Sequence, residues 1–305
     1  MSKTKKIWII VASCLLALGF IICVFILIVT NFDFGRFNTM SSEHNEYVFE
    51  NDFDSVSVDV AVSKVTITKS DSKECRVECD EATKMKHYVS VENGTLSIRF
   101  VDERKWYEHI GVSFCKMQVT VYLPNDAYTD FTIKSNTGDV IVSDGFSCQN
   151  ITIKGNTSGI VCNASASETM DIDTDTGAVS VENVSAGAMS LKCSTGKIQV
   201  NSAKIDKKAD FKTSTGKIIL VNVVAEGELS AVSATGSIEF ENCDAASIYM
   251  KSNTGNVKGS LLTPKVFITD TGTGSIKVPS STEGGRCEIT TSTGNINVTI
   301  SDTTP

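Results

Sequence analysis

Proline, histidine and large rings are scarce in this chain of 305 residues, which has 4 Pro, 3 His, 2 Trp and only 7% aromatic residues. So few prolines beside 41% hydrophobic residues exclude a disordered chain. The low aromatic content argues against a large core packed around rings. Basic charge is also short: 28 Lys+Arg stand against 36 Asp+Glu, a formal net charge of -8. That balance argues against a nucleic-acid partner, which needs clustered Lys and Arg to neutralise phosphates. In excess are 35 Ser, 32 Thr and 21 Gly, a composition that points to short strands and many turns.

The N-terminus decides the compartment. Residues 7–29 run without a charge, and about 20 apolar residues suffice for a helix to cross the ~30 Å hydrocarbon layer. Lys3, Lys5 and Lys6 precede this stretch and, by the positive-inside rule, keep residues 1–6 as a cytoplasmic stub. Cleavage after Ala17 or Gly19 would leave Ile21–Val29 as an apolar start. Val11-Ala12-Ser13-Cys14 resembles a lipobox, but only Ile7–Ile10 of apolar sequence precedes it, short of the usual h-region. The expectation is an uncleaved signal anchor at 7–29 in the lipid bilayer of the cell membrane, crossing once, with the C-terminal domain extracellular. Residues 30–45 read as a juxtamembrane stalk.

A repeat fills the second half. Its mark is a Thr followed by a glycine slot and, two residues later, Val or Ile: Thr137-Gly138, Thr176-Gly177, Thr195-Gly196, Thr215-Gly216, Thr235-Gly236, Thr254-Gly255, Thr273-Gly274 and Thr293-Gly294. One copy, Thr157-Ser158, has Ser in the slot. Successive slots are 19 or 20 residues apart through nine copies. Aligned copies show apolar columns seven and five residues before the slot (Phe131 and Ile133, for example) and two and four after it (Val140 and Val142). Polar residues alternate between them, so each copy supplies two short strands with one buried face. Such a unit cannot bury that face alone, and copies must stack. The fold class expected is all-β: a β-solenoid of 19–20-residue coils over 127–300, each on its predecessor, behind a β-rich cap over 46–126, with a short tail at 301–305.

The Thr before each slot, and the mostly small residue three before it, share the parity of the buried columns. Both are therefore expected to face inward at a tight corner, with glycine permitting positive φ there. In the Thr157-Ser158 copy, Ser158 is expected to be strained unless Gly159 takes over the turn. These Thr-Gly corners are the site residues singled out, in a structural role.

Strands are expected before the repeats at Val56–Val62, Val65–Lys69, Cys75–Cys79, Tyr88–Val91, Thr95–Phe100 and Met117–Leu123, without the 19–20 spacing. Asn93-Gly94 marks a two-residue hairpin turn. Glu92-Asn93-Gly94-Thr95-Leu96-Ser97-Ile98, then Val119-Thr120-Val121-Tyr122-Leu123-Pro124-Asn125, then the repeated Thr-Gly-x-Ile/Val together resemble the bacterial "putative adhesin" β-strand-repeat family, a domain of unknown function. The resemblance covers roughly residues 50–300. It implies a strand-repeat fold and brings no catalytic residues.

Eight cysteines lie outside the apolar segment: Cys75, Cys79, Cys115, Cys148, Cys162, Cys193, Cys243 and Cys287. In the repeats they occupy different columns on different coils, which reads as small core filler; one bridge in the cap, with Cys115 as a candidate, stays open. Cys75 and Cys79 with His87 lack zinc-ligand spacing. Asp171, Asp173, Asp175 and Glu182 mimic a calcium loop but lack its glycine and lie along a strand. No nucleophile–base arrangement is visible. Thr-x-Thr pairs such as Thr174/Thr176 suggest ice binding, against which the inward parity speaks. No metal or cofactor is expected. The leading functional expectation is a non-catalytic, membrane-tethered interaction module, adhesin-like or contacting a cell-wall polymer or another envelope protein. The alternative is an accessory, regulatory protein of a cell-envelope stress system, and the lesser alternative is a polysaccharide-active β-helix enzyme. No catalytic, cofactor or metal residue is assigned.

Overall fold

In the structure, a computed structural model, residues 3–29, 32, 40–50, 52–110 and 115–301 are described. Most of the expected stalk and the tail beyond 301 lie outside the described residues. Helix α1 (Lys3–Val29) carries the uncharged run, and 18 residues within its stretch Lys5–Val29 reach a mean hydropathy of 3.1, none of them buried against protein. It is long and apolar enough to cross a membrane.

The repeats stack in parallel register, column on column. Ile151 pairs with Phe131 and Met170, and Ile153 with Ile133 and Ile172. Val179 lies between Ile160 and Ile198, and Ile218 continues the row. The apolar columns form one continuous core along the stack, led by Phe131, Phe211, Ile133, Ile151, Ile153 and Ile172. A second corner, six residues after the slot, puts Asn183, Ser202, Asn222 and Asn242 at φ between 51° and 57°. Asn tolerates this left-handed conformation better than most residues.

The stacking order departs from chain order at the far end. Number the copies 1–9 by their slots. Coil 7 pairs not with coil 8 but with coil 9: Ile248 faces Cys287, Met250 faces Ile289, and Val257 faces Ile296. Coil 8 then pairs with the outer edge of coil 9, Phe267 on Cys287 and Ile276 on Ile296. The last coil is thus inserted between its two predecessors. The expectation that each coil lies on the one before fails because all coils share one column pattern, so spacing alone cannot say which coil meets which. The return is possible where a side chain would block it: a Cβ on Gly285 would sit 1.8 Å from the Ala246 carbonyl oxygen.

The cap contains more of the solenoid than its sequence suggests. Strands β2 (Ser55–Val60) and β3 (Lys64–Lys69) form an extra coil directly under coil 1, pairing in parallel with β8 (Ala127–Ser135) and β9 (Val140–Val142). Val56, Val58, Ser63, Val65 and Ile67 fall into the repeat's own columns, with Ser63 in the slot. Strands β6 (Thr95–Asp102) and β7 (Gln118–Leu123) form a further coil beyond it, so the chain's first coil is also sandwiched. On that outer coil lie antiparallel strands, β5 (Met85–Glu92) against β6 and β4 (Cys75–Ala82) against β7. Strand β1 (Ser42–Phe49) closes the edge on β4 and starts within the residues expected as stalk. Two irregular coils and nine regular ones at ~4.8 Å each make a stack about 50 Å long.

Candidate functional site

The corners of the repeat are built by three columns. Three residues before the slot, hydroxyls and one thiol face inward and donate to the slot carbonyl of the preceding coil. Thr174, Cys193, Thr213, Ser233 and Ser252 do so onto Ser158, Gly177, Gly196, Gly216 and Gly236 at 2.9–3.2 Å. Thr291 reaches Gly255 and Thr271 reaches Gly294, the same ladder following the inserted order. In the slot itself there is no room: a Cβ on Gly196, whose φ is +153°, would sit 2.0 Å from the Gly177 carbonyl oxygen.

The Thr immediately before the slot does not face inward. Thr137, Thr157, Thr176, Thr195, Thr215, Thr235, Thr254, Thr273 and Thr293 are all exposed. The backbone turns between the inward hydroxyl and the slot, so two consecutive residues point out and strand parity does not carry across the corner. A Thr-x-Thr pair therefore presents one hydroxyl to solvent and spends the other on a backbone carbonyl. The copy with Ser158 shows no positive φ at Ser158 or Gly159. Instead Ser158 turns its side chain inward and is buried, in space left by Gly155, whose Cβ would lie 2.9 Å from that of Ser158. Gly155 stands where other copies carry the inward hydroxyl, so the two irregularities compensate.

One outer face carries a basic row. Four residues before the slot lie Lys134, Lys154, Lys192, Lys212 and Lys251, all exposed and in one register column. Asp173 sits between Lys154 and Lys192, and Val232 between Lys212 and Lys251. None of the five lysines takes part in an ion pair with a described residue. On the neighbouring face, by contrast, Lys217 and Lys258 share Glu239 at 3.1 Å each. Asp171, Asp173 and Asp175 lie along one strand, Ser165–Thr176. Among the described residues no three His, Cys, Asp or Glu side chains lie together as a metal site.

The cap holds a cluster that the sequence did not reveal. The Ser63 hydroxyl lies 2.8 Å from His87 Nε2, and His87 Nδ1 lies 2.9 Å from the Glu81 carboxylate. That carboxylate also accepts from the His87 backbone N–H at 2.7 Å and from Asn45 Nδ2 at 2.5 Å. A carboxylate only accepts, so Nδ1 carries the proton and Nε2 accepts from Ser63. Burial holds the His87 pKa below its ordinary 6.5, against the pull of Glu81. The order of groups is that of a nucleophile, a base and its orienting acid, an arrangement not visible in the sequence. Ser63 and Glu81 are fully buried and His87 nearly so, its ring against Phe100. No substrate reaches the hydroxyl in this conformation; the three groups satisfy one another's hydrogen bonds beneath the antiparallel strands. The column pattern around Ser63 is the signal that would have placed it at a corner.

None of the ten cysteines is in a disulfide. Burial pushes the thiol pKa to about 12 at Cys75, Cys79, Cys148 and Cys287, and to about 11 at Cys162 and Cys243. Such thiols are poor nucleophiles and poor metal ligands.

The same fold occurs in solved bacterial structures. One described as a "putative adhesin" from Parabacteroides distasonis superposes with a TM-score of 0.54 at 15% identity, covering 85% of this chain and 97% of its own. A "putative lipid binding protein" from the same species gives 0.56 at 15%, covering 86% and 98%. A "putative adhesin" from Parabacteroides merdae gives 0.53 at 13%, covering 86% and 98%. At these identities the likeness concerns the fold. No curated protein matches the chain in sequence. A family model matches residues 53–298, from the extra coil under the repeats to the last strand, and the chain belongs to the Toastrack DUF4097 family.

Proposed function

We propose that the protein is a single-pass, membrane-anchored binding module without catalytic activity. Its N-terminus is cytoplasmic, and its solenoid holds a cell-wall polymer or envelope protein outside the cell. The observation that carries this reading is the row of five lysines without ion-pair partners among the described residues. Its members are separated by one, two, one and two coils, a row of roughly 29 Å at ~4.8 Å per coil. Side chains at whole-coil intervals on a rigid ladder suit a partner that is itself extended and periodic, and unpaired ammonium groups suit an anionic one. The neighbouring structures described as "putative adhesins" agree with a binding role.

The test is retention of the detergent-solubilised full chain on isolated cell wall, with and without its anionic polymers. A fivefold variant, Lys134→Gln, Lys154→Gln, Lys192→Gln, Lys212→Gln and Lys251→Gln, is run alongside. Retention should fall steeply with added salt, and the variant should lose at least about tenfold in affinity. Equal retention of variant and wild type would sink the lysine row. Capture of an envelope protein without wall binding would favour the accessory role instead.

A further inference from the structure

Between β6 and β7 the corner of the outermost coil carries an insertion, of which residues 103–110 and 115–117 are described. Where regular copies turn in a few residues, this one begins with a 3₁₀ turn over Trp106–Ile110. Trp106 is 79% exposed and Tyr107 50% exposed, with their rings edge to face at 5.9 Å. Trp106 is the one tryptophan outside α1. Lys105, His109 and Lys116 are exposed on the same insertion. Trp106 is the most exposed large apolar side chain outside α1 among the described residues, and two large aromatic rings side by side in water are costly.

The insertion is fastened at the place where the chain arrives from α1. The Cys115 thiol lies 3.5 Å from the Met40 carbonyl oxygen, just before β1. Met40 and Cys115 pack together against Ala82, Met85 and Met117. Glu108 pairs with Lys84 in the turn between β4 and β5, and the neighbouring Thr83 bonds to Ser41. Only residues 30–41 separate the end of α1 from β1. Fully extended, they would span at most about 40 Å, so the cap is the end of the solenoid that the chain ties to α1.

We propose that Trp106 and Tyr107 insert into the headgroup layer of the membrane that α1 anchors, and stand the solenoid on its cap. Amphipathic rings with adjacent basic side chains are the chemistry of the lipid interface, where the ring is buried and the polar edge stays wet. Coil 8 is then presented some 50 Å away, the length of the stack. The proposal rests on the reading of α1 as an anchor.

The full chain bearing Trp8→Phe, so that Trp106 is the only tryptophan, is reconstituted into vesicles of phosphatidylglycerol and phosphatidylcholine. Some vesicles carry acyl chains brominated near the headgroup. Emission from Trp106 should be quenched at least about twofold by the bromolipid, and acrylamide quenching should be weaker than for the same chain unfolded in urea. A tryptophan at the far end (Ile268→Trp in a Trp8→Phe, Trp106→Phe chain) should show no bromolipid quenching. Trp106 left unquenched in vesicles with which the chain co-floats overturns the insertion and leaves the anchor intact. Equal quenching at both positions overturns the upright stance. A chain that fails to float with vesicles overturns the anchor and the insertion together.

Discussion

The two ends of the solenoid use the same topological device and finish it differently. At each end the coil nearest the chain terminus is inserted one place inward, so it has ladder partners on both edges and cannot fray. Beyond that point the ends diverge. The cap end is roofed by antiparallel strands over a buried Ser63–His87–Glu81 chain. The far end is bare, with Val266, Ile268 and Ile276 exposed on coil 8. Its protection lies in shape and chemistry. Pro264 and Pro279 flank the outer strands, one of which is two residues long, and Asp270 and Lys277 sit on the edge. Short strands, proline and charge are the usual means of blocking end-to-end pairing. An end can thus be closed by covering it or by making it a poor template, and this chain does one at each terminus.

Removing residues 286–305 should have the largest effect on that comparison. Coil 8 would lose its one strand partner among the described residues, and coil 7 would lose its outer one. Hydrogen exchange of amides 257–278 should then quicken by more than about tenfold. Protection retained there would mean that coil 9 is outermost after all. At the other end, Glu81→Ala should cost about 3 kcal/mol, since it leaves His87, Asn45 and Lys86 facing a buried gap. Urea melts of the full chain in micelles measure it, and a loss below ~1 kcal/mol would make the cluster ornamental.

Acid should act on the same end. His87 is held neutral by burial, its pKa lowered from 6.5. The unfolded chain therefore takes up a proton that the folded one resists, and the His87 contribution is complete above pH 6.5 and lost progressively below it. Exposed His44, raised by its bond to Asp80, opposes this weakly. Exchange in β4 and β5 should rise between pH 7 and 5, with the repeats unaffected and His87→Gln abolishing the difference. A uniform response along the solenoid would defeat the assignment. The smallest effect is expected of Ile268→Lys at the bare end, within about 0.5 kcal/mol in stability, because that side chain is already 48% exposed. A drop in Tm of more than a few degrees would mean that coil 8 is covered in the native assembly.

Much of the repeat was legible because one column pattern recurs in nine copies and stacking is the sole way to bury its apolar members. The extra coil at β2 and β3 was missed although Val56, Val58, Val65 and Ile67 obey the pattern, since Ser63 stands 75 residues from Gly138 and lacks the Thr-Gly mark. The inserted order of coils 7, 9 and 8 left one trace, Thr269 in a column otherwise apolar, as befits a coil with an open side. The outward Thr column was misjudged because alternation along a strand stops where the backbone turns. The Ser63–His87–Glu81 chain joins a corner, a strand and its neighbour, and no local spacing announces such a meeting.

What the sequence determined by itself was periodicity and polarity: an apolar helix, thin coils of Val and Ile, and glycine at eight of the nine repeat corners. These follow from interactions that repeat every coil, so each copy reports them independently. The tertiary structure alone decided which coil lies on which, which hydroxyls turn outward, and which cap side chains meet. Those choices depend on single long-range contacts between segments that are chemically interchangeable in register, and a contact made once leaves no period to read.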